Sequence, residues 1–308
     1  MTRYSDSFFS PVSLKNFVRA LRLPFIAASL FPYIAGSFFF KNEWSSGLFF
    51  FGFVAVASTH LSGNLINDYS DSKSGVDWED RTFYGFFGGS KLIQEGVFNE
   101  KFYLFSALAF SFLAAFSVLV TAVCLGSIRV LIYFLFILIL AFSYSHAPFR
   151  LSYNYLGEAV IFLLFGPACV MGGYFLQTEV FPDLRSFSLS LPFGFFTTAI
   201  LFVNEVPDYP DDRKAMKKTW VSILGHEQSY WVYCFLVAMG YGAVILNVAI
   251  GNLGWMSLLT VFSVFMPYKA AWILMLYYQN KKKLIESSKL TIGLHHLVSL
   301  IIIGDIMI

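Results

Sequence analysis

Two acid-rich segments carry side chains that suit a divalent cation. Each segment places an Asn four residues before an Asp, Asn64 with Asp68 in the first and Asn204 with Asp208 in the second. Carboxylate and amide oxygens are ligands that Mg²⁺ accepts, and Mg²⁺ commonly shares its coordination with substrate phosphates. The two segments therefore predict a place where metal ions meet a highly charged ligand.

The spacing within each segment matches one face of a helix. Asn64, Asp68 and Asp71 follow each other in NLINDYSDSKSGVD (64–77), and steps of four and three residues share a helical face. In the second segment, NEVPDYPDDRKAMKKT (204–219), Asn204, Asp208 and Asp212 follow each other at steps of four residues and also share a face, although its two prolines predict an interruption of the helix. The predicted metal ligands are Asn64, Asp68, Asp71, Asp208 and Asp212.

Solvated charge at helix ends is the alternative interpretation of any such acid. We adopt it for the remaining acids near these segments, Glu79, Asp80, Glu100 and Glu227. It is less satisfactory for Asp68 and Asp208, because each lies one turn from an Asn at the end of a long apolar run, where an unpaired charge is costly.

Basic and hydroxyl side chains accompany the acids. Arg22 precedes the first apolar run, Lys91 lies in the Gly-rich stretch GFFGGSKLIQEG (85–96), and further lysines follow the second acid segment. Cations there would neutralise a diphosphate, or simply mark the cytoplasmic side of the membrane. The Gly-rich stretch lacks Walker spacing, which excludes a nucleotide P-loop.

A third polar segment, SYSHAPFRLSYNYLGE (143–158), mixes hydroxyls, aromatic rings and Arg150. Tyr144 and Ser145 end an apolar run there. An aromatic ring at this place would belong to the interfacial belt of a membrane protein, or would line a chamber and stabilise a cation.

The composition around these segments is that of a membrane protein. Of the 308 residues 57% are hydrophobic and 13% charged, and the mean hydropathy is +0.66. In lipid each apolar stretch should form a helix, because a helix satisfies its own backbone groups. We predict an all-α, multi-pass fold with nine spans, at about 24–40, 47–67, 102–126, 128–145, 156–177, 187–206, 229–250, 254–278 and 288–307.

The distribution of Lys and Arg predicts the orientation. With the N-terminus in the cytoplasm, 17 of the 21 basic residues fall in cytoplasmic segments and 3 in outer ones, and Lys269 lies within the eighth span. Both acid segments then face the cytoplasm and the C-terminus lies outside. We expect the cytoplasmic membrane of a bacterium or archaeon.

The two acid segments also suggest an internal repeat. They follow the second and sixth spans, so four spans separate them. We expect a single domain over 1–308, built from a pseudo-repeat of about 20–150 and 151–280 with an additional ninth helix at 288–307. Sites at the interface of such repeats are common in membrane proteins.

Taken together, the two acid segments resemble the paired aspartate-rich motifs of the UbiA superfamily of intramembrane aromatic prenyltransferases. The first motif and the segment 143–167 are similar to the menaquinone branch, the 1,4-dihydroxy-2-naphthoate prenyltransferases. The resemblance implies a helical bundle around a chamber open to lipid. One departure is Met216, which stands where this family usually has Gly before the Lys-Lys-Thr of the second motif.

The resemblance implies a reaction and a set of roles. A polyprenyl group would pass from its diphosphate to an aromatic acceptor of the naphthoate type, with Mg²⁺ assisting departure of the diphosphate. The expected catalytic residues are Asp68, Asp71, Asp208, Asp212 and Tyr144. The expected substrate-binding residues are Asn64, Asn67, Asn204, Arg22, Lys91, Ser145, Arg150, Lys214 and Lys218.

Other functions remain open at the level of sequence. One alternative is a prenyltransferase of the same superfamily whose acceptor is hydroxybenzoate, homogentisate or a chlorophyllide. A transporter would also carry membrane carboxylates, but these acids lie at one membrane face rather than at the midplane. A phospholipid alcohol transferase has a single acidic motif. Membrane lipid is an expected partner and nucleic acid is not.

Overall fold

The fold is a bundle of long helices, as the long apolar stretches predicted. We describe it from a computed structural model, which defines residues 14–39, 44–75, 78, 80–146 and 148–308. Asp77, the last acid of the first segment, and Glu79, for which a solvated loop charge was predicted, lie outside these residues. The α-helices are α1 (Leu14–Ala20), α2 (Ala27–Phe38), α3 (Ser46–Ser74), α4 (Glu100–Leu125), α5 (Ile128–Ser145), α6 (Gly157–Leu163), α7 (Cys169–Thr178), α8 (Leu184–Lys214), α9 (Trp220–Leu224), α10 (Ser229–Ala249), α11 (Phe265–Tyr277) and α12 (Lys281–Met307).

Eight helical segments in the described residues are long and apolar enough to cross a membrane. A ninth crossing results if α1 and the segment Leu23–Phe38, which are bent by 48°, count as one span. The protein is therefore an integral membrane protein, and the predicted nine spans are reached only if this bent pair crosses the membrane.

Local signals fix where several spans begin. Asn99 Oδ1 accepts a hydrogen bond from the Phe102 N–H at 2.8 Å at the start of α4, and Asp183 Oδ2 accepts one from the Ser186 N–H at 2.6 Å at the start of α8. Such caps satisfy backbone donors that a helix leaves unpaired at its N-terminus.

The second acid segment is helical as far as Lys214, past both of its prolines and contrary to the predicted interruption. Helix α8 runs through Pro192, Pro207 and Pro210 to Lys214. A proline inside a helix removes one hydrogen bond, but α8 is the most deeply buried of the spans, and its packing compensates for that loss. The acid side chains of α8 therefore keep helical spacing.

Two spans contain irregular turns. Residues Leu164–Ala168 form a π-helical segment around Pro167 and join α6 to α7. Residues Trp255–Ser263 form a 3-10 helix before α11. The predicted spans 156–177 and 254–278 are thus helical over most of their length but are not single α-helices.

Small residues let some helices approach very closely. A Cβ atom built on Gly36 of α2 would lie 2.0 Å from the carbonyl oxygen of Val170 in α7, and one on Gly173 would lie 2.4 Å from the Tyr33 carbonyl oxygen. Close backbone contact of this kind is typical of helix pairs in membranes. It holds α2 against α7 beside the chamber described below.

The last span begins earlier than predicted. Helix α12 starts at Lys281 rather than near residue 288, with Asn280 Oδ1 accepting a hydrogen bond from the Lys283 N–H at 3.2 Å. Lys269, whose role the sequence left open, pairs with Glu286 of α12 at 2.5 Å, and both side chains are about half exposed.

Candidate functional site

Both acid segments open onto one chamber of about 370 Å³ between α3 and α8. One end of the chamber is polar and contains the acids. The other end is mostly apolar and lies deeper in the bundle. Its wall includes Tyr33, Gly52, Ala55, Val118, Phe175 and Leu176, all of them buried.

The first segment contributes three polar side chains to the chamber wall, Asn64, Asn67 and Asp71. Asn67 Nδ2 donates to Asp71 Oδ2 at 3.2 Å, and Asn64 Nδ2 donates to the Leu21 carbonyl oxygen at 3.2 Å. The helical spacing thus brings Asn64, Asn67 and Asp71 to one face, whereas the predicted face had Asp68 in place of Asn67.

Asp68 has a different environment from its neighbours. It is buried, and its carboxylate forms an ion pair with Arg22 and accepts a hydrogen bond from the Ser90 N–H at 3.2 Å. Asp68 is therefore not part of the chamber wall in this structure. Its carboxylate lies behind the wall and fixes Arg22, which does line the chamber.

The second segment contributes Asn204, Asp208, Asp211 and Asp212 to the wall. Asp208 Oδ2 accepts a hydrogen bond from the Gly88 N–H at 3.0 Å, and Asn204 Oδ1 accepts one from Ser288 Oγ at 2.7 Å. Asp211 pairs with Lys281 at 2.7 Å. Helix α8, which its prolines do not interrupt, therefore presents these acids to the chamber.

The Gly-rich stretch covers the polar end and links the two segments. The Gly88 amide reaches the second segment at Asp208, and the Ser90 amide reaches the first at Asp68. Lys91 follows directly, is 4% exposed and lines the chamber. Its φ of 58° lies in the left-handed region, as does the φ of 49° at Arg22. Such conformations are uncommon outside glycine and are often found at functional sites.

The turn after α8 brings a further cation into the chamber. The Met216 N–H donates to the Arg213 carbonyl at 3.2 Å, and the Lys217 N–H donates to the Asp212 carbonyl at 2.8 Å. This is the Schellman pattern that ends many helices. It reverses the chain, so that Lys217 Nζ lies 3.3 Å from Asp212 Oδ1.

Electrostatics keep Lys217 charged. Burial by itself disfavours the charged form, but the carboxylates of Asp212 and Asp71 outweigh burial and raise the pKa of Lys217 well above its ordinary value. Lys217 therefore carries a positive charge at any physiological pH.

The segment between α5 and α6 supplies hydroxyl groups. Ser145 Oγ donates to Asn67 Oδ1 at 2.9 Å, and the Tyr153 hydroxyl donates to Asp71 Oδ1 at 3.1 Å. Burial and the nearby Asp71 charge raise the pKa of Tyr153 to about 12, so this hydroxyl remains a donor at neutral pH. Tyr144 lines the chamber close to the charge of Lys217.

Asp80 corrects the expectation that it is a solvated loop acid. It lines the chamber and pairs with Lys281 at 2.8 Å. Burial opposes ionisation, but the hydrogen bonds from Lys281 and from the Thr82 amide outweigh it and lower the pKa of Asp80. The same Lys281 binds Asp211, so one cation from α12 joins the loop after α3 to α8.

Three predicted substrate-binding cations lie elsewhere. Arg150, Lys214 and Lys218 are exposed and are not among the residues that line the chamber. Lys214 borders a separate surface groove with Tyr209 and His226. The turn after α8 directs Lys217 into the chamber and Lys218 outward.

Sequence reasoning gave no site role to Lys281, Asp211 or Tyr153, and it named Lys217 only as one of the lysines that would neutralise a diphosphate or mark the cytoplasmic side. Lys217 and Asp211 lie within the quoted second segment and Tyr153 within the quoted third, so those patterns contained them. Lys281 had no local signal, because the acid it contacts at Asp80 is 201 positions away.

The oxygen-rich wall suits a divalent cation that is shared with a ligand. Within the described ranges, no three His, Cys, Asp or Glu side chains already converge on one point as metal ligands. Asn64, Asp71, Asp208 and Asp212 nevertheless face the same space. Mg²⁺ usually keeps only one or two protein carboxylates and completes its shell with water and phosphate oxygens, so this donor set fits.

Comparisons with known proteins agree with this geometry. A sequence model of the UbiA prenyltransferase family matches residues 29–293. The UbiA prenyltransferase domain-containing protein 1 of Dictyostelium discoideum is 29% identical over 204 residues, which cover 61% of this chain and 56% of that protein. This chain thus spans little more than half the length of that relative.

Two further proteins are similar over most of this chain. The 2-carboxy-1,4-naphthoquinone phytyltransferase of a Synechocystis species is 25% identical over 262 residues, covering 83% of this chain and 81% of that protein. The UbiA homologue of Archaeoglobus fulgidus bound to DMAPP and Mg²⁺ has a TM-score of 0.63 and 15% identity, covering 92% of this chain and 99% of that one. The second likeness is one of fold.

Proposed function

Because the chain belongs to the UbiA prenyltransferase family, we propose that it transfers a prenyl group from a prenyl diphosphate to an aromatic acceptor within the membrane, with Mg²⁺ as cofactor. The observation that carries this proposal is the shared chamber. Acids from α3 and α8 meet at its polar end, and a buried apolar space continues from them. A prenyl diphosphate has the same two parts, since a charged diphosphate is joined to an apolar isoprenoid tail.

The balance of charge supports a metal-bound diphosphate. The chamber is lined by five aspartates, Asp71, Asp80, Asp208, Asp211 and Asp212, and by four cations, Arg22, Lys91, Lys217 and Lys281. The cations are largely neutralised by these acids and by Asp68. A diphosphate would therefore meet net repulsion unless divalent cations entered with it.

The residues that would hold the metal are Asn64, Asp71, Asp208 and Asp212, joined by Asp68 if its pair with Arg22 opens. Mg²⁺ bound there supplies positive charge to the departing diphosphate oxygens. Arg22, Lys91 and Lys217 would bind the remaining oxygens. As the carbon–oxygen bond breaks, the apolar wall keeps water away from the allylic cation, and the ring of Tyr144 would stabilise it.

The acceptor in this proposal is a dihydroxynaphthoate or a related quinone precursor. The resemblance of the first motif to the menaquinone branch supports this, as does similarity to a protein named for phytyl transfer to a carboxy-naphthoquinone. An aromatic ring would enter beside Tyr144 and Ser145.

A reconstituted assay tests the proposal. The purified protein in nanodiscs is given geranyl, farnesyl or geranylgeranyl diphosphate with 1,4-dihydroxy-2-naphthoate, 4-hydroxybenzoate or homogentisate. We expect prenylated naphthoate by mass spectrometry, diphosphate release in equal amount, and loss of both on chelation of Mg²⁺. If product formed only with 4-hydroxybenzoate or homogentisate, the naphthoate assignment would be overturned. If no product formed with any of the acceptors, the proposed prenyltransferase activity would be overturned.

Matched variants link the assay to the chamber. Asp71→Asn and Asp208→Asn should each reduce turnover by at least about 100-fold, because each removes a charge that the metal and diphosphate require. Glu286→Gln is the control, since Glu286 pairs with Lys269 on the outside of the bundle. Equal activity in the Asp variants and the control would contradict the proposed site.

A further inference from the structure

Two buried glutamates have no part in the proposed metal site, Glu158 outside both acid segments and Glu205 within the second one. Glu158 of α6 is 1% exposed and Glu205 of α8 is 6% exposed. Glu205 lines the chamber. Burying a carboxylate is costly unless donors or cations compensate for the lost water, so this pair requires an explanation.

The two carboxyl groups face each other, and one oxygen atom of each receives no hydrogen bond from the described residues. Glu158 Oε1 accepts a hydrogen bond from the Trp220 N–H at 2.5 Å. The groups lie within hydrogen-bonding reach of each other. Yet, in the part of the chain that the structure describes, Oε2 of Glu158 and Oε2 of Glu205 receive no hydrogen bond. Two ionised carboxylates have only acceptors, and a proton held between them supplies the donor.

The charged groups around Glu158 and Glu205 influence how many protons the pair holds. The charged groups that act on Glu205 are Glu158, Lys217 and Asp212, and the hydroxyl group of Tyr144 faces the same cluster from α5. The charge of Lys217 favours one negative charge on the pair, and a pair that shares a single proton would be able to accept a second. The pair thus lies at the chamber wall next to the ring that the proposed function places beside the reacting carbon.

We propose that Glu205, sharing a proton with Glu158, is the base that takes the hydroxyl proton of the aromatic acceptor as its ring carbon is prenylated. This inference rests on the proposed function. The carbon–oxygen bond of the prenyl diphosphate breaks and its electron pair leaves with the diphosphate. The ring carbon then forms the new carbon–carbon bond, the O–H bond breaks, its electron pair forms the ring carbonyl, and the proton passes to Glu205.

The test separates ionisation of the diphosphate from capture of the cation. Glu205→Gln keeps the size of the side chain but cannot accept the proton. We expect turnover to fall by about 100- to 1000-fold, while KM for the prenyl diphosphate stays within about twofold of the wild type. Exchange of ¹⁸O between the bridging and non-bridging positions of labelled prenyl diphosphate, which reports reversible ionisation, should persist. Glu286→Gln is again the control and should match the wild type.

The pH profile of turnover gives a second readout. Wild-type turnover should fall as the pH is lowered, because the pair becomes fully protonated and has no capacity left. Glu158→Gln should move this fall to lower pH, since the Gln amide donates to Glu205 and favours its charged form. In Glu205→Gln the fall should be absent.

Several outcomes would overturn the inference. Near-normal turnover of Glu205→Gln with an unchanged pH profile would do so. Loss of ¹⁸O exchange together with turnover would do so too, because Glu205 would then act in binding or folding. If the wild type itself exchanged no label and transferred no prenyl group, the proposed function would fail instead.

Discussion

At the scale of single residues, the turn after α8 explains an unusual methionine. Met216 has a φ of 57° and an 81% exposed side chain. It occupies the position after the helix end where a Schellman turn favours glycine. The left-handed conformation costs a residue with a Cβ about 1–2 kcal/mol, and the turn persists because it places Lys217 in the chamber.

Met216→Gly should therefore stabilise the protein. The strain is relieved, while the greater freedom of glycine in the unfolded chain offsets part of the gain, which leaves about 0.5–1 kcal/mol. The measurement is the thermal unfolding midpoint in detergent. Met216→Ala is the control, because it removes the same exposed side chain but keeps the Cβ. Equal midpoints for the two variants would mean that the turn is not strained.

Tyr144 and Ser145 illustrate what residue type alone leaves undecided. An aromatic residue at the end of an apolar run suits both a membrane interface and a chamber wall. The structure places both residues in the chamber wall, because the segment after α5 folds back and Ser152 Oγ donates to the Tyr144 carbonyl at 2.7 Å.

At the scale of elements, helix α3 runs along the whole chamber. Asn64 lines the polar end and Ala55 the apolar end. Nine residues separate them, which is about 14 Å along a helix. Each isoprene unit advances an extended chain by about 5 Å, since it adds four carbon–carbon bonds of about 1.5 Å. The distance to Ala55 therefore accommodates about three units.

Ala55→Phe should shorten the accepted prenyl chain. We expect kcat/KM for geranylgeranyl diphosphate to fall by about tenfold or more relative to that for geranyl diphosphate, because the new ring occupies the apolar end. Ala115→Phe adds the same volume on the exposed face of α4 and should leave the ratio unchanged. An unchanged ratio in Ala55→Phe would mean that the tail leaves the chamber by a side opening before reaching α3 at this depth.

At the scale of the whole molecule, the orientation in the membrane remains our proposal, as does the pseudo-repeat of residues 20–150 and 151–280. In this proposal α3 and α8 are corresponding spans that deliver their acids to the same, cytoplasmic face. The positive-inside distribution of Lys and Arg supports it.

Cysteine labelling tests the orientation. In a protein whose three native cysteines are replaced, Val97→Cys and Ile223→Cys should react with an impermeant reagent from the cytoplasmic side only. Val180→Cys, in the connection between α7 and α8, should react only from the outside. All three side chains are exposed. Labelling of Val97→Cys and Ile223→Cys from opposite sides would contradict both the orientation and the repeat.

The sequence by itself determined the helical fold, eight of the nine predicted spans and the two acid segments on helices. These properties are local: an apolar run long enough to cross lipid must be helical, and helical spacing decides which side chains share a face. The sequence also showed the resemblance to the UbiA family, because the two aspartate-rich motifs are short and contiguous.

Only the tertiary structure decided which side chains meet in the chamber. Lys281 joins Asp80 across 201 positions of sequence, and Glu158 meets Glu205 because α6 packs on α8. It likewise directed Lys217 inward and Lys214 and Lys218 outward, through a turn geometry that spacing does not specify. Such pairings depend on which helices pack together, and that is set by contacts between distant segments rather than by any local period.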